Sequence, residues 1–340
     1  MTFPARPSVG FVLGKFMPPH LGHVHLCDFA RHVCERLTIL VCSLDGDPIP
    51  GELRWRWMRE MFPDCEVVWC AEPLPQEPAD HPDFWPIWRD VVSRYAGRPD
   101  IVFASETYGE RLAAEVGASF MPVDPRRKAV PVSSTAVRTE PFANWDYIPR
   151  PVRPWFVKRV CLFGPESTGK TNLAEALGRR FSTAVAWEYA RTWSDTFSPH
   201  VDAAILEHFF LGQVAEVAAA KRRARRILVE DTDPLLTAVW ADMLLGRRPA
   251  WLDEWNDYAD LYLLCDIDLP WVDDGSRYFP DEADRKRFFE ACREELEQRG
   301  LPFALVRGLT PKARELAAVR AVQAAFPGLV LDEGRGAHGA

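Results

Sequence analysis

Gly164-Pro165-Glu166-Ser167-Thr168-Gly169-Lys170-Thr171 satisfies G-x-x-x-x-G-K-[ST], and what flanks it decides what it means. The apolar run Val157–Phe163 precedes it, and an amphipathic stretch, Gly169–Phe181, follows. Strand, glycine turn and helix in that order gather backbone N–H groups and the positive end of a helix dipole around one point, a cradle for phosphate. In such a loop Lys170 neutralises β/γ charge and Thr171 offers its hydroxyl to Mg²⁺.

The pattern continues C-terminally as Ala184–Trp187, Val201–Arg222, Ile227–Asp231, Leu235–Leu245, Leu261–Cys265, Glu282–Gln298, Phe303–Val306 and Pro311–Ala325. Short β-branched runs alternating with helical stretches predict a parallel sheet flanked by helices. Acids at strand ends are where such a fold places groups that orient a phosphoryl acceptor. Glu188 in Trp187-Glu188-Tyr189-Ala190-Arg191 is a candidate general base, and Asp231 in Glu230-Asp231-Thr232-Asp233 a candidate Mg²⁺ ligand. The base role stays open among Glu188, Asp231 and Asp233, and each acid could instead cap the next helix. In Trp271-Val272-Asp273-Asp274-Gly275-Ser276-Arg277, Arg277 could reach a transferring phosphate from a mobile loop.

N-terminally, a second series runs Val9–Leu13, Gly22–Glu35, Leu37–Cys42, Leu53–Met61, Val67–Cys70, Asp83–Tyr95, Ile101–Ala104 and Thr107–Val116. Its first turn reads Gly14-Lys15-Phe16-Met17-Pro18-Pro19-His20-Leu21-Gly22-His23. Two histidines at a helix N-terminus can both present N–H donors to an anion, and Gly22 removes a Cβ where a substrate must come close. Zinc is the rival reading, but no supporting ligand sits at a suitable spacing. Val132-Ser133-Ser134-Thr135-Ala136-Val137-Arg138 supplies hydroxyls and an arginine at another helix start, a second anion site in the same domain.

The fold class is therefore α/β in two domains, a Rossmann-like one at 1–140 and a P-loop one at 157–330. A Pro-rich linker at 141–156 joins them, and a small polar tail at 331–340 is expected to be disordered. At 340 residues, 47% apolar and 26% charged, the chain has the length and composition for two cores. A net charge of −8 argues against nucleic acid as the main partner. The eight cysteines form no C-x-x-C pair and read as buried free thiols. With no apolar leader and no run of about 18 apolar residues, no membrane insertion is expected and the chain reads as cytoplasmic.

The histidine loop and the Ser133–Arg138 text resemble the HxGH nucleotidyltransferase superfamily. From about Val9 to about Ala325 the chain resembles the NadR-type bifunctional nicotinamide mononucleotide adenylyltransferases and ribosylnicotinamide kinases. Gly14 to His23, Arg54-Trp55-Arg56-Trp57-Met58, Val132 to Ile148, Pro165 to Thr171, Trp187 to Arg191 and Trp271 to Arg277 carry the resemblance, in order and spacing. It implies two ATP sites using Mg²⁺, with nicotinamide riboside, its mononucleotide and NAD as the other ligands. In the first domain it implies catalysis by His20, His23, Lys15 and Arg138, and ATP contacts from Gly14, Phe16, Gly22, Arg54, Ser133, Ser134 and Thr135. In the second it implies ATP contacts from Gly164 through Gly169, Thr171 and Arg277, with Lys170, Glu188 and Asp231 catalytic. Nicotinamide-ligand contacts are expected from Trp85, Trp88, Tyr189, Asp233, Trp271 and Asp273, Trp88 being preferred to Trp85 for stacking on the cationic ring.

The longest members begin with a helix-turn-helix operator-binding domain. The first predicted strand starts by Val9, so no repressor role is expected. Other HxGH adenylyltransferases, acting on pantetheine phosphate or FMN, are the nearest rival enzymes, and FAD synthetases pair a kinase of different fold without this P-loop. A nucleotide sensor would not need all of His20, His23, Lys170 and the acids. Homo-oligomerisation and a link to a riboside permease stay open.

Overall fold

The computed structural model describes residues 7–194, 196–197, 201–273 and 277–329. The chain divides into two compact units, Met1–Val152 and Arg153–Ala340. The tail at 331–340 and Asp274, Gly275 and Ser276 lie outside the described residues.

The first unit runs β1 Val9–Gly14, α1 Leu21–Val33, β2 Arg36–Cys42, α2 Gly51–Met61, β3 Glu66–Cys70, α3 Phe84–Ala96, β4 Ile101–Ala104, α4 Tyr108–Val116, β5 Ser119–Pro122 and α5 Ser134–Thr139. Its strands pair in parallel in the order β3-β2-β1-β4-β5. Alternation along the strands splits the core: Val12, Ile39 and Phe103 face one layer with Met58 and Leu26, while Phe11, Leu40 and Val102 face the other with Val91 and Leu112. Burial on both faces explains why these strands read as nearly continuous apolar runs.

The second unit runs α6 Arg153–Phe156, β6 Lys158–Phe163, α7 Lys170–Arg180, β7 Val185–Ala186, α8 Tyr189–Ser194, α9 Ala203–Lys221, β8 Ile227–Glu230, α10 Pro234–Leu245, β9 Leu261–Cys265, α11 Glu282–Gln298, β10 Phe303–Val306 and α12 Pro311–Ala325. Its sheet, again parallel, has the order β10-β9-β6-β8-β7. In both sheets the first strand is central, with neighbours leaving to either side. That topology opens a ligand crevice at the carboxyl end of β1 and of β6, where the two phosphate-loop texts begin.

Three features differ from the sequence reading. The Pro-rich stretch is no bare linker: Trp145 and Ile148 are buried, Trp145–Tyr147 forms a 3₁₀ turn, and the division between the units falls at its Val152. Helix α8 was not anticipated, being only a turn and a half long. Helix α9 does reach the length and apolarity of a membrane span, by composition alone. Its buried Gln213 bonds to Trp187 and Thr232 carbonyls, and Leu206 and Val217 are buried, so it serves as a helix of this unit.

Candidate active sites

In the second unit the phosphate loop has the backbone that its glycines allow. Gly164 has φ 132°, and a Cβ there would lie 2.9 Å from the Cys265 carbonyl oxygen. Lys170 Nζ donates to the Gly164 and Pro165 carbonyls at 2.9 and 2.8 Å, so the loop already holds the ammonium where phosphate oxygens would replace those carbonyls.

Asp231, just after β8, is 1% exposed, and its Oδ1 has no hydrogen-bond partner among the described residues. Burial, then the Glu188 charge, pushes its carboxyl up to about 6, against the pull of Lys170 and the Thr171 hydroxyl. The two acids, the loop lysine and the loop threonine thus converge on one point. An orphaned carboxylate oxygen beside a threonine hydroxyl is a donor set that suits a hard divalent cation.

A cavity of about 310 Å³ opens on this point. Glu166 to Asn172, Glu188, Arg191 and Arg277 form its polar side, and Leu206, Phe209, Leu236, Trp240 and Tyr278 its apolar side. Arg277 donates to Ser167 Oγ at 2.5 Å, which brings the predicted loop arginine to the phosphate loop.

The nicotinamide contacts expected in this unit fare differently. Among the described residues, Tyr189, Trp271 and Asp273 are not part of the cavity wall. The Tyr189 ring instead packs where a Cβ at Gly212 would stand, and its N–H donates to Gln213. Asp233 does line the cavity, but Oδ1 caps α10 through the Leu235 N–H and Oδ2 accepts from the Tyr262 hydroxyl at 2.5 Å. Its place before Pro234 made it a cap. Trp240 and Gln213 carry no motif. The one available signal was a polar amide in an otherwise apolar helix, which must have a partner when buried.

In the first unit His20 is the N-cap of α1, its Nδ1 accepting the Gly22 N–H at 3.1 Å. His23 Nδ1 accepts the His20 N–H at 3.2 Å, and the rings stack at 3.8 Å. Since both Nδ1 atoms accept, each neutral ring carries its proton on Nε2 and keeps that N–H for a ligand. Burial lowers both histidines, helped for His20 by Arg127 and for His23 by His20 and then Arg127; His20 falls to about 4.

The Ser133–Arg138 text closes over this loop. Ser134 Oγ donates to the Pro18 carbonyl at 3.2 Å, Arg138 donates to the Met17 carbonyl and to Thr135 Oγ1, and Ser133 caps α5. Three expectations need correction here. Arg54 is fully buried, donating to the Lys15 and Cys42 carbonyls and to Asp47, so it braces the loop that carries Lys15 and does not face phosphate. The Phe16 side chain belongs to the core, lying 3.4 Å from where a Gly14 Cβ would stand. Gly22 also makes room for the His20 ring, which a Cβ would meet at 2.9 Å. Trp88 is a core residue whose indole N–H donates to the Pro75 carbonyl, whereas Trp85 is half-buried with Arg111 over its ring.

Fold and sites together define a two-unit α/β nucleotide-binding protein, with a histidine phosphate loop in one unit and a P-loop in the other. The chain is similar to NadR proteins over nearly its whole length. It is 28% identical to the trifunctional NAD biosynthesis/regulator protein NadR of Escherichia coli strain K12, covering 95% of this chain and 85% of the relative. It is 27% identical to the protein of that name from Salmonella typhimurium strain LT2, with the same coverage. Residues 159–314 match the family described as an AAA domain. A crystal structure of a NadR protein in complex with NAD and AMP-PNP superposes with a TM-score of 0.77 at 23% identity, covering 98% of this chain and 99% of the other. One in complex with NR gives 0.78 at 22%, covering 97% and 98%. These superpositions establish the two-unit fold.

Proposed function

We propose that this chain makes NAD from nicotinamide riboside in two ATP-dependent steps, one in each unit. The observation that carries the reading is the second unit's cavity, which joins Lys170, Thr171 and Glu188 to an aromatic wall of Trp240 and Tyr278, with the buried Asp231 beside Lys170, Thr171 and Glu188. The relatives' name and their complexes with NAD and with NR, read as nicotinamide riboside, point the same way.

In the kinase step the cationic nicotinamide ring lies against Trp240 and Tyr278, since a ring quadrupole attracts positive charge. Glu188 takes the proton of the ribose hydroxyl that attacks the γ-phosphorus, and ADP leaves. Asp231 and Thr171 would hold Mg²⁺, which would supply positive charge against the ATP phosphates. Lys170 exchanges its two carbonyl partners for phosphate oxygens, and Arg277 stabilises charge on the transferring group.

In the adenylylation step the mononucleotide phosphate attacks the α-phosphorus of ATP and pyrophosphate leaves. The Nε2–H groups of His20 and His23, with Lys15, stabilise the growing negative charge, and Arg138 holds the loop and the Thr135 hydroxyl in place. ATP and pyridine nucleotides as substrates place this work in the cytoplasm.

The test is the purified protein with ATP, Mg²⁺ and nicotinamide riboside, products being followed by chromatography. Mononucleotide should appear first and NAD after it. No phosphorylation of the riboside by a folded protein overturns the reading.

A further inference from the structure

Glu166 is an odd residue for a phosphate loop. The third position of G-x-x-x-x-G-K-[ST] has no chemical need for a carboxylate, and a negative charge there repels the anion that the loop exists to bind. The hydrogen bonds supply a different purpose. Glu166 Oε1 accepts the backbone N–H of Tyr278 at 2.9 Å and that of Phe279 at 2.7 Å, and Oε2 accepts Tyr278 N–H again at 3.1 Å.

Those two residues carry rings that pack on Trp240. Tyr278 lies 5.9 Å from it at 69°, and Phe279 lies 5.8 Å away, nearly parallel at 26°. Neighbouring Ser167 makes a parallel connection, accepting the Val272 N–H at 2.9 Å.

We propose that Glu166 is a positioning residue for the acceptor, by which the phosphate loop itself sets the aromatic wall of Trp240 and Tyr278, with Phe279 packed on Trp240 behind it, against which a flat, cationic ring binds. The inference rests on the kinase reading above. It makes acceptor binding sensitive to a residue of the nucleotide loop whose carboxylate is bonded to the aromatic wall. A loop drawn tight on ATP holds Tyr278 and Phe279 in register, so each substrate should strengthen the binding of the other.

Wild type, Glu166→Ala and Glu166→Gln decide it. Glutamine keeps one oxygen, and a single oxygen, Oε1, already accepts both N–H groups, so it should restore the geometry without the charge. Glu166→Ala should raise the riboside KM about tenfold, the loss expected for one or two such hydrogen bonds, and leave binding of a non-hydrolysable ATP analogue within about threefold. Glu166→Gln should lie close to wild type in both. Without any substrate, amide hydrogen exchange in the peptide holding Tyr278 and Phe279 should quicken in Glu166→Ala and not in Glu166→Gln.

An unchanged riboside KM in a Glu166→Ala protein whose amides have lost protection overturns the proposal. So does an equal loss of riboside and ATP-analogue binding, which would make Glu166 a part of the phosphate loop alone. If wild type fails to phosphorylate the riboside, the functional reading falls, and amide exchange judges the Glu166 contact by itself: unaltered protection in Glu166→Ala removes it.

Discussion

The backbone N–H of His20 donates to Nδ1 of His23, so the first histidine of the loop fixes the tautomer of the second. Nδ1 of His20 in turn accepts the Gly22 N–H. A proton on either Nδ1 would break a bond that shapes the turn. The unfolded chain binds that proton near the usual histidine value, whereas folded His20 binds it only at about 4. Acidification from about 6.5 to 4 therefore favours the unfolded state, and the contribution is restored as pH rises back through that window. For His20 alone the swing is roughly 2–3 kcal/mol. His20→Asn keeps an acceptor for the Gly22 N–H and does not titrate. Urea midpoints of the first unit at pH 7 and pH 5 should differ less in this variant than in wild type, and equal slopes would count against the argument.

Removing a donor should cost rate without costing the other unit anything. His23→Ala is expected to slow NAD formation from the mononucleotide by about 10²–10³, the range for loss of one charge-stabilising donor. Riboside phosphorylation should continue at the wild-type rate. Parallel loss of both activities would mark the pair as structural.

Lys170→Ala is the reciprocal experiment. Riboside phosphorylation should vanish while mononucleotide adenylylation persists, because the ammonium held by the Gly164 and Pro165 carbonyls serves the second unit's loop. The measurement is ADP release with riboside against NAD formation with mononucleotide, on one preparation.

Kinase activity should have an acid limb. Asp231 must be ionised to hold Mg²⁺, and its carboxyl sits at about 6, so kcat/KM for the riboside should fall as pH drops through that region. Glu188→Gln removes the neighbouring charge that raises Asp231. Its residual activity should therefore show the limb at lower pH, and an unmoved limb would separate the two acids.

Arg54→Lys tests the brace beneath the first loop. A lysine cannot reach the Lys15 carbonyl, the Cys42 carbonyl and Asp47 together, and it leaves a buried carboxylate poorly matched. Stability of the first unit should drop by about 1–3 kcal/mol, as for buried acceptors left without a donor. Thermal unfolding with riboside kinase activity as the control distinguishes this from loss of the whole protein.

What could be read before folding was what the backbone dictates. Gly164 to Thr171 and the His20–His23 turn are legible because a phosphate loop needs particular φ angles, a lysine and a hydroxyl at set offsets. Strand alternation likewise located Ile101–Ala104, Leu261–Cys265 and Phe303–Val306 to the residue. Destinations of long side chains were not legible. Arg54 looks like a surface arginine on an amphipathic helix until the Lys15 carbonyl, far away in sequence, comes to lie beneath it. Trp88 sits in the more mixed helix and Trp240 in the more apolar one, yet Trp88 packs inward and Trp240 lines a cavity, a choice made by the neighbouring helices rather than by local pattern.

The free thiols offer the chain a way to report its own opening. Cys27, Cys34, Cys42, Cys65 and Cys70 lie in the first unit and Cys161, Cys265 and Cys292 in the second. All are buried except Cys65, which is half-buried with its thiol pushed up to about 11; Cys70 is pushed down to about 6 by its Cys42 hydrogen bond but is itself buried, so a gentle alkylating reagent reaches almost no thiolate on the native protein. When the first unit opens alone it takes up five labels, and the second alone takes up three. Mass spectrometry of partially labelled protein would thus reveal which half breathes first, with no engineered probe and no substrate present.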